Sequence, residues 1–299
     1  MPKIAVIINA GSGTKSDDDA LVKRIEDEFA ALGLEAKGYC ARTGDELIKL
    51  AAELSRSDAE IIVAGGGDGT ISAVAAEVIK ANKTLGVLPL GTLNHFSKDL
   101  NIPQTLPEAV KLIAAGESAE IDVGEVNGRI FLNNSSIGLY PQIVHKREQQ
   151  QHRLGRGKWP AFFWATVMVL RRHPFLDIKL RIGDEILTRR TAMIFIGNND
   201  YEMEGFNIGH RPSLSGGKLS LYILHQTGRL GLLKLALRSF SGTLRQAREF
   251  EEMPVEECEI QTRRPKTVLV AFDGEVTAMR TPLEYKIRPR ALRVIVSNE

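Results

Sequence analysis

Cysteine is scarce in this 299-residue chain: Cys40 and Cys258 are the only two, and they form no CxxC pair. Two isolated thiols build no disulfide framework, so a reducing cytoplasm is the expected compartment. Excess charge is missing as well, with 39 basic against 37 acidic side chains and a formal net charge of +2. Nucleic-acid binders are normally much more basic, so no nucleic-acid partner is expected. Long apolar runs are also lacking. The strongest, WPAFFWATVMVL at 159–170, is well short of the roughly 20 residues a spanning helix needs. The opening MPKIAVIINAGSG has no basic region ahead of a long apolar segment and reads as a first strand, not a signal peptide. Repeats and low-complexity tracts are absent. What remains, 43% hydrophobic and 25% charged residues, is the profile of a soluble globular protein with room for one large domain or two ordinary ones.

Apolar runs alternate with amphipathic ones over the first 115 or so residues. Strands are expected at 3–8, 34–39, 59–64 and 85–90, and helices at 20–32, at 44–56 and from near Thr70 to Lys80. Such alternation predicts an α/β domain with a parallel sheet. Ligands of these sheets bind at the carboxyl ends of the strands. Three loops rich in Gly, Ser, Thr or Asn fall at such ends: NAGSGT (9–14), GGGDGT (65–70) and PLGTLNHF (89–96). From about 118 the pattern changes. Asn127-Gly128 marks a hairpin, and short strands follow at 176–182, 186–197, 218–224, 255–261, 267–272, 283–288 and 292–296. Helical insertions are expected near 141–172 and 228–249. This predicts a second, mainly antiparallel β domain over 121–299 after an α/β domain over 1–120, with the last strand free to return to the first.

The loop at 65–70 raises a question of its own. No GK[ST] follows its glycines and the GxGxxG spacing is absent, so it is neither a Walker A nor a dinucleotide loop. Glycines ahead of a helix still suit phosphate, because exposed backbone N–H groups and the helix dipole attract anions. The plain alternative is a strand–turn–helix junction capped by Asp68 or Thr70. A carboxylate in the middle of such a loop would repel a bare triphosphate. Asp68 makes sense there if magnesium stands between it and the phosphates, or if it meets an incoming hydroxyl.

GGGDGTISAVAAEVI, LGVLPLGTLNHFSKDL and the late VAFDGE together resemble the diacylglycerol kinase catalytic-domain family, which includes bacterial diacylglycerol kinase-like lipid kinases and sphingosine kinases. More distantly, GGDGT is similar to the element in NAD kinases and phosphofructokinases. The resemblance implies a nucleotide-binding α/β domain and a β-sandwich, with ATP in the cleft between them and Mg2+-dependent transfer of the γ-phosphoryl group to a lipid hydroxyl. It places Asn9, Gly11, Ser12 and Gly13 in the first nucleotide-contacting loop and Thr43 at the end of the second strand. Gly65, Gly66, Gly67, Asp68, Gly69, Thr70 and Ile71 match the phosphate-binding loop, with Thr92 and Asn94 beside the same phosphates. Glu275 matches the proton acceptor, with Asp273 beside it; Asp68 matches a loop aspartate that is catalytic or metal-linked in various members, and Asp122 matches an aspartate many members carry, a second candidate for the metal. Read without the resemblance, Asp273-Gly274 is a common hairpin turn.

Two positions depart from the family's commoner pattern. His95 follows Asn94 where an aspartate is usual, so Asp99 or Asp122 could supplement the acidic network. Gly216 stands where members often carry an aspartate, which argues against a structural magnesium there. The basic and aromatic segment 145–175 suits either contact with anionic lipid or a buried helix with solvated ends. The expected protein is a cytoplasmic lipid kinase working peripherally at a membrane surface, such as on diacylglycerol. The competing readings are an NAD kinase-like enzyme and a nucleotide-binding regulatory protein without turnover.

Overall fold

A computed structural model describes residues 3–10, 18–145, 175–204, 207–224 and 250–297. The chain divides into two compact units, Met1–Val123 with Arg288–Glu299, and Gly124–Ile287.

The first unit is α/β. Its elements run β1 (Ile4–Asn9), α1 (Asp18–Ala31), β2 (Ala36–Ala41), α2 (Gly44–Ser55), β3 (Ile61–Gly66), α3 (Asp68–Lys80), β4 (Thr84–Pro89), α4 (His95–Asp99) and α5 (Leu106–Ala115). The strands pair in parallel in the order β2-β1-β3-β4. Helices shield the sheet, so β1, β3 and β4 are buried almost throughout, and their apolar residues carry no alternating polar face. Ile71, Val74, Ala75 and Val78 of α3 are buried, as are Ala109, Val110 and Ile113 of α5. Between β1 and β3 the strand order reverses direction, which makes the carboxyl ends of these two strands the topological switch point.

The second unit is a β-sandwich. Here β5 (Ser118–Val126), which begins in the first unit, turns at Asn127-Gly128 into β6 (Arg129–Phe131). Both turn residues have positive φ, 47° and 80°, as a two-residue hairpin demands. Then follow β7 (Asn134–Gly138), β8 (Leu176–Ile182), β9 (Glu185–Thr191), β10 (Met193–Asn198), β11 (Glu202–Glu204), β12 (Asn207–His210), β13 (Leu219–Leu224), β14 (Phe250–Val255), β15 (Glu257–Thr262), β16 (Thr267–Phe272), β17 (Glu275–Arg280) and β18 (Leu283–Ile295). One sheet has the order β14-β13-β10-β7-β16-β17, and the other joins the first half of β18 to β15, β8 and β9. Their facing side chains, among them Phe131, Ile137, Ile178, Leu180, Ile194, Leu221, Val270 and Tyr285, form one core. The second half of β18 belongs to the first unit, where Arg293 and Val294 pair in parallel with Thr84 and Leu85 of β4.

Several expectations need correcting. Helix α3 starts at Asp68, not near Thr70, because Gly65 and Gly66 continue β3 and pair with Leu88 and Pro89. The apolar run 186–197 is two strands in different sheets, broken at Ala192 where the Thr191 hydroxyl bonds the Leu224 carbonyl and lies 2.8 Å from the Met193 carbonyl. The runs 283–288 and 292–296 are one strand. Pro289 and Arg290, whose φ is 50°, gave the sequence its false break. β14 was missed: it holds Pro254, which is tolerated because the strand lies at a sheet edge. The short β17 also escaped notice. Most of the helical insertions expected near 141–172 and 228–249 lies outside the described residues, although 139–145 is helical.

Candidate active site

The carboxyl ends of β1, β2, β3 and β4 gather most of the expected nucleotide residues along one edge of the first unit. Asn9 ends β1, and its Nδ2 donates to Thr70 Oγ1 at 3.2 Å. Thr43 follows β2, and its Oγ1 accepts the Glu46 N–H at 3.2 Å, capping α2. Gly67 is the N-cap of the 13-residue α3 and, having no side chain, makes no capping hydrogen bond. A glycine cap lets a ligand approach the backbone at the start of a full-length helix, which is where phosphate is received.

Close backbone approach shapes this edge. A Cβ on Gly91 would lie 2.4 Å from the Gly67 Cα and 2.7 Å from Asn94 Oδ1. A Cβ on Gly66 would meet Thr70 at 2.7 Å. The loop after β4 is thus drawn against the start of α3, with Thr92 exposed at its tip. Asn94 sits buried in the left-handed region at φ 53°, with its Nδ2 on the Pro89 carbonyl and its Oδ1 accepting no hydrogen bond.

Asp68 has a structural task that its sequence position conceals. Its carboxylate accepts the N–H of His95 at 3.2 Å and of Phe96 at 3.0 Å, at the start of α4. It ties the glycine loop to the loop after β4. The His95 side chain is exposed, and only its backbone joins this arrangement. Asp122 is buried in β5, and its carboxylate takes the Arg290 N–H at 2.9 Å, holding the positive-φ kink of β18 within the first unit. Gly69 and Ile71 lie in the first turn of α3. Gly11, Ser12 and Gly13 lie outside the described residues.

In the second unit, Asp273-Gly274 is the turn between β16 and β17, with φ of 47° and 89°. The Asp273 carboxylate accepts three backbone N–H groups, from Leu132 at 2.7 Å, Asn133 at 2.8 Å and Asn134 at 3.2 Å. Its own N–H donates to the Asn134 carbonyl at 3.0 Å. Glu275 opens β17 opposite Phe272 and reaches solvent. Even so, the protein crowding its carboxyl and the neighbouring Asp273 raise its pKa above the ordinary carboxylate value, while Arg129 pulls it down. Arg129 lies over the Phe272 ring at 5.8 Å. Sequence reasoning missed Arg129, Asn133, Asn198, Tyr201 and Arg211. No motif marks them, and only the paired Asn133-Asn134 at the end of an apolar run was a signal.

Among the described residues no cluster of three or more His, Cys, Asp or Glu could hold a metal. Asp68 is a single half-buried carboxylate beside the open start of α3. That fits an ion arriving with phosphates, since magnesium is usually held by one or two carboxylates plus substrate oxygens. It does not fit a metal caged by protein alone. No helix among the described residues is long and apolar enough to cross a membrane. A cavity of about 420 Å³ in the second unit, lined by Glu125, Arg181, Glu257 and Lys286 among others, includes none of the expected site residues.

The family model of the diacylglycerol kinase catalytic domain matches residues 3–126, and that of the YegS C-terminal NAD kinase beta sandwich-like domain matches 141–296. An uncharacterized protein of Synechocystis sp. is 28% identical over 259 residues, covering 84% of this chain and 58% of that protein. A diacylglycerol kinase of Staphylococcus saprophyticus is 27% identical over 208 residues, covering 67% of this chain and 65% of that protein. The chain thus spans less than two thirds of the length of these curated relatives. The crystal structure of a diacylglycerol kinase from Bacillus anthracis str. Sterne shares the fold, with a TM-score of 0.71, 19% identity, and coverage of 99% of this chain and 97% of that one. With a glycine cap on α3 beside a glycine-lined loop and a DGE turn in a β-sandwich, the two domain models place residues 3–126 in the diacylglycerol kinase catalytic-domain family and 141–296 in the family of the YegS C-terminal domain.

Proposed function

We propose that the protein is an ATP-dependent lipid kinase that transfers the γ-phosphoryl group to a lipid hydroxyl, with diacylglycerol the first acceptor to test. The observation that carries the reading is the glycine-capped start of α3 with Gly67 packed against Gly91. This geometry suits a triphosphate held by backbone N–H groups. The acceptor class rests on the curated relatives named diacylglycerol kinase. Phosphoryl transfer asks a protein mainly to position reactants and to neutralise spreading charge. Asn9, Thr43, the 65–71 loop, Thr92 and Asn94 are assigned to the nucleotide, with Gly11, Ser12 and Gly13 completing its first loop.

Asp68 is the residue to hold a magnesium ion brought in by the nucleotide; Asp122, which takes the Arg290 N–H beside the amino end of β4, is left out of that role. When bound, the ion supplies charge neutralisation on the phosphates. Glu275 accepts the proton of the attacking hydroxyl. A carboxyl whose pKa is raised by its surroundings is a stronger base than a free glutamate. Asp273 holds the turn that presents it. Acting on a membrane lipid, the protein works peripherally at the bilayer surface.

The test is incubation with γ-labelled ATP and magnesium, with diacylglycerol vesicles and NAD offered together as acceptors. Label is expected in the lipid phase, with kcat falling by about 10²–10⁴-fold in Glu275→Gln. Label on NADP instead, or full lipid phosphorylation by Glu275→Gln, would sink the assignment.

A further inference from the structure

The tripeptide Leu132–Asn133–Asn134, between β6 and β7, is gripped from both sides by buried charged groups. Its N–H groups all point to the Asp273 carboxylate. On the opposite side, the Leu132 carbonyl accepts from Arg211 Nη1 at 2.6 Å and from Asn198 Nδ2 at 2.8 Å. The Asn133 carbonyl accepts from the Tyr201 hydroxyl at 2.7 Å and the Asn198 N–H at 2.9 Å. Arg211 Nη2 also donates to Asn133 Oδ1 at 2.8 Å, and its guanidinium lies 5.6 Å from the centre of the Tyr201 ring. Arg211 is 2% exposed, Asn133 5% and Asn198 0%.

Peptide dipoles therefore run from a buried anion to a buried cation. Each charge polarises the amides toward the other, so the anionic and cationic ends stabilise each other without touching. A hydrophobic filling would hold a sandwich together equally well, so stability alone does not call for buried charge here. What the polar arrangement adds is direction. Asp273 is held in the left-handed region by three amides, and Glu275 leaves the turn two residues later. Rotation of Asp273 would re-aim Glu275.

We propose that Arg211 is a positioning residue for the phosphoryl-transfer reaction, acting through Leu132–Asn134 and Asp273 to fix the direction of the Glu275 carboxylate. This rests on the reading of Glu275 as the base. Misplacing a reacting group by about 1 Å can cost about 10²-fold in rate.

Arg211→Met, Arg211→Lys and Tyr201→Phe are compared with Asp273→Asn in lipid-phosphorylation kinetics across pH. Each is assayed below its own unfolding transition, with ATP binding measured separately. Arg211→Met is expected to lower kcat by about 10–100-fold, keep the KM for ATP within about twofold, and displace the acid limb of the pH profile. Arg211→Lys recovers part of the loss. The double variant Arg211→Met with Asp273→Asn falls little below the worse single variant, since both loosen one unit. If Arg211→Met does not fold, Tyr201→Phe removes a single bond from the same clamp and is expected to lower kcat with the acid limb displaced. Wild-type kcat and pH profile in the folded variants, with only the melting temperature reduced, would overturn the proposal. Unchanged activity in Glu275→Gln defeats the base assignment instead, whatever Arg211 does, so the two failures are distinguishable.

Discussion

At Glu275, the protein crowding the carboxyl and the Asp273 carboxylate act against ionisation while Arg129 favours it. The base must be deprotonated to work, so activity is expected to fall on the acid side, with an apparent pKa above the ordinary carboxylate value. Arg129→Met removes the one stabilising charge, so the acid limb should move to higher pH; a pH profile of kcat checks the direction. Asp68 raises a different question, because its carboxylate caps α4 through two amides. Asp68→Ala is expected to cost about 0.5–2 kcal/mol of stability, the usual worth of a capping side chain, measured by urea unfolding. Asp68→Asn keeps a capping oxygen and loses the charge. It should unfold nearly as the wild type does while needing more magnesium for half-maximal activity. An unchanged magnesium requirement would leave Asp68 with the capping task alone. Its residue type was legible in the sequence, but its partners were not, since they lie 27 and 28 positions away.

Among the elements, the parallel strands of the first unit were plain from their apolar runs, and α3 from the run after its glycines. The start of α3 was misread because glycine favours turns, whereas here Gly65 and Gly66 are held in β3 by pairing with β4. That shift matters for the site: it leaves Gly67 alone as the N-cap, with the backbone of the loop after β4 packed directly against it. Gly91→Ala places a Cβ 2.4 Å from the Gly67 Cα, and neither backbone can give way cheaply. The expected outcome is a fold intact by circular dichroism with ATP affinity lowered by tenfold or more, about 1.4 kcal/mol, read by isothermal titration. Strand endings failed at Ala192 in the second unit and at Pro289, where β18 enters the first. The bond donated by the Thr191 hydroxyl and the Arg290 N–H bond accepted by Asp122 decided those points, and neither has a local sequence signature.

For the molecule as a whole, the long strand β18 carries the chain from the second unit back into the first. Leu292, Val294 and Ile295 are buried there although they are encoded some 170 residues after Val123. Leu292→Ala should therefore destabilise the protein by about 2–5 kcal/mol in urea unfolding, as for other large-to-small core changes. ATP is expected to offset part of the loss by mass action if the first unit holds the nucleotide. By itself the sequence determined the α/β-then-β class and the glycine, threonine and DGE residues of the candidate site, because backbone freedom and apolar periodicity are local properties. Only the tertiary structure decided what the acidic side chains do. A carboxylate's role depends on which donors surround it, and Asp273 meets amides about 140 residues away, in a segment gripped from its other side by Arg211. Asp68 posed the question as a charge out of place in a phosphate loop. In the folded chain that charge joins two loops through the His95 and Phe96 amides.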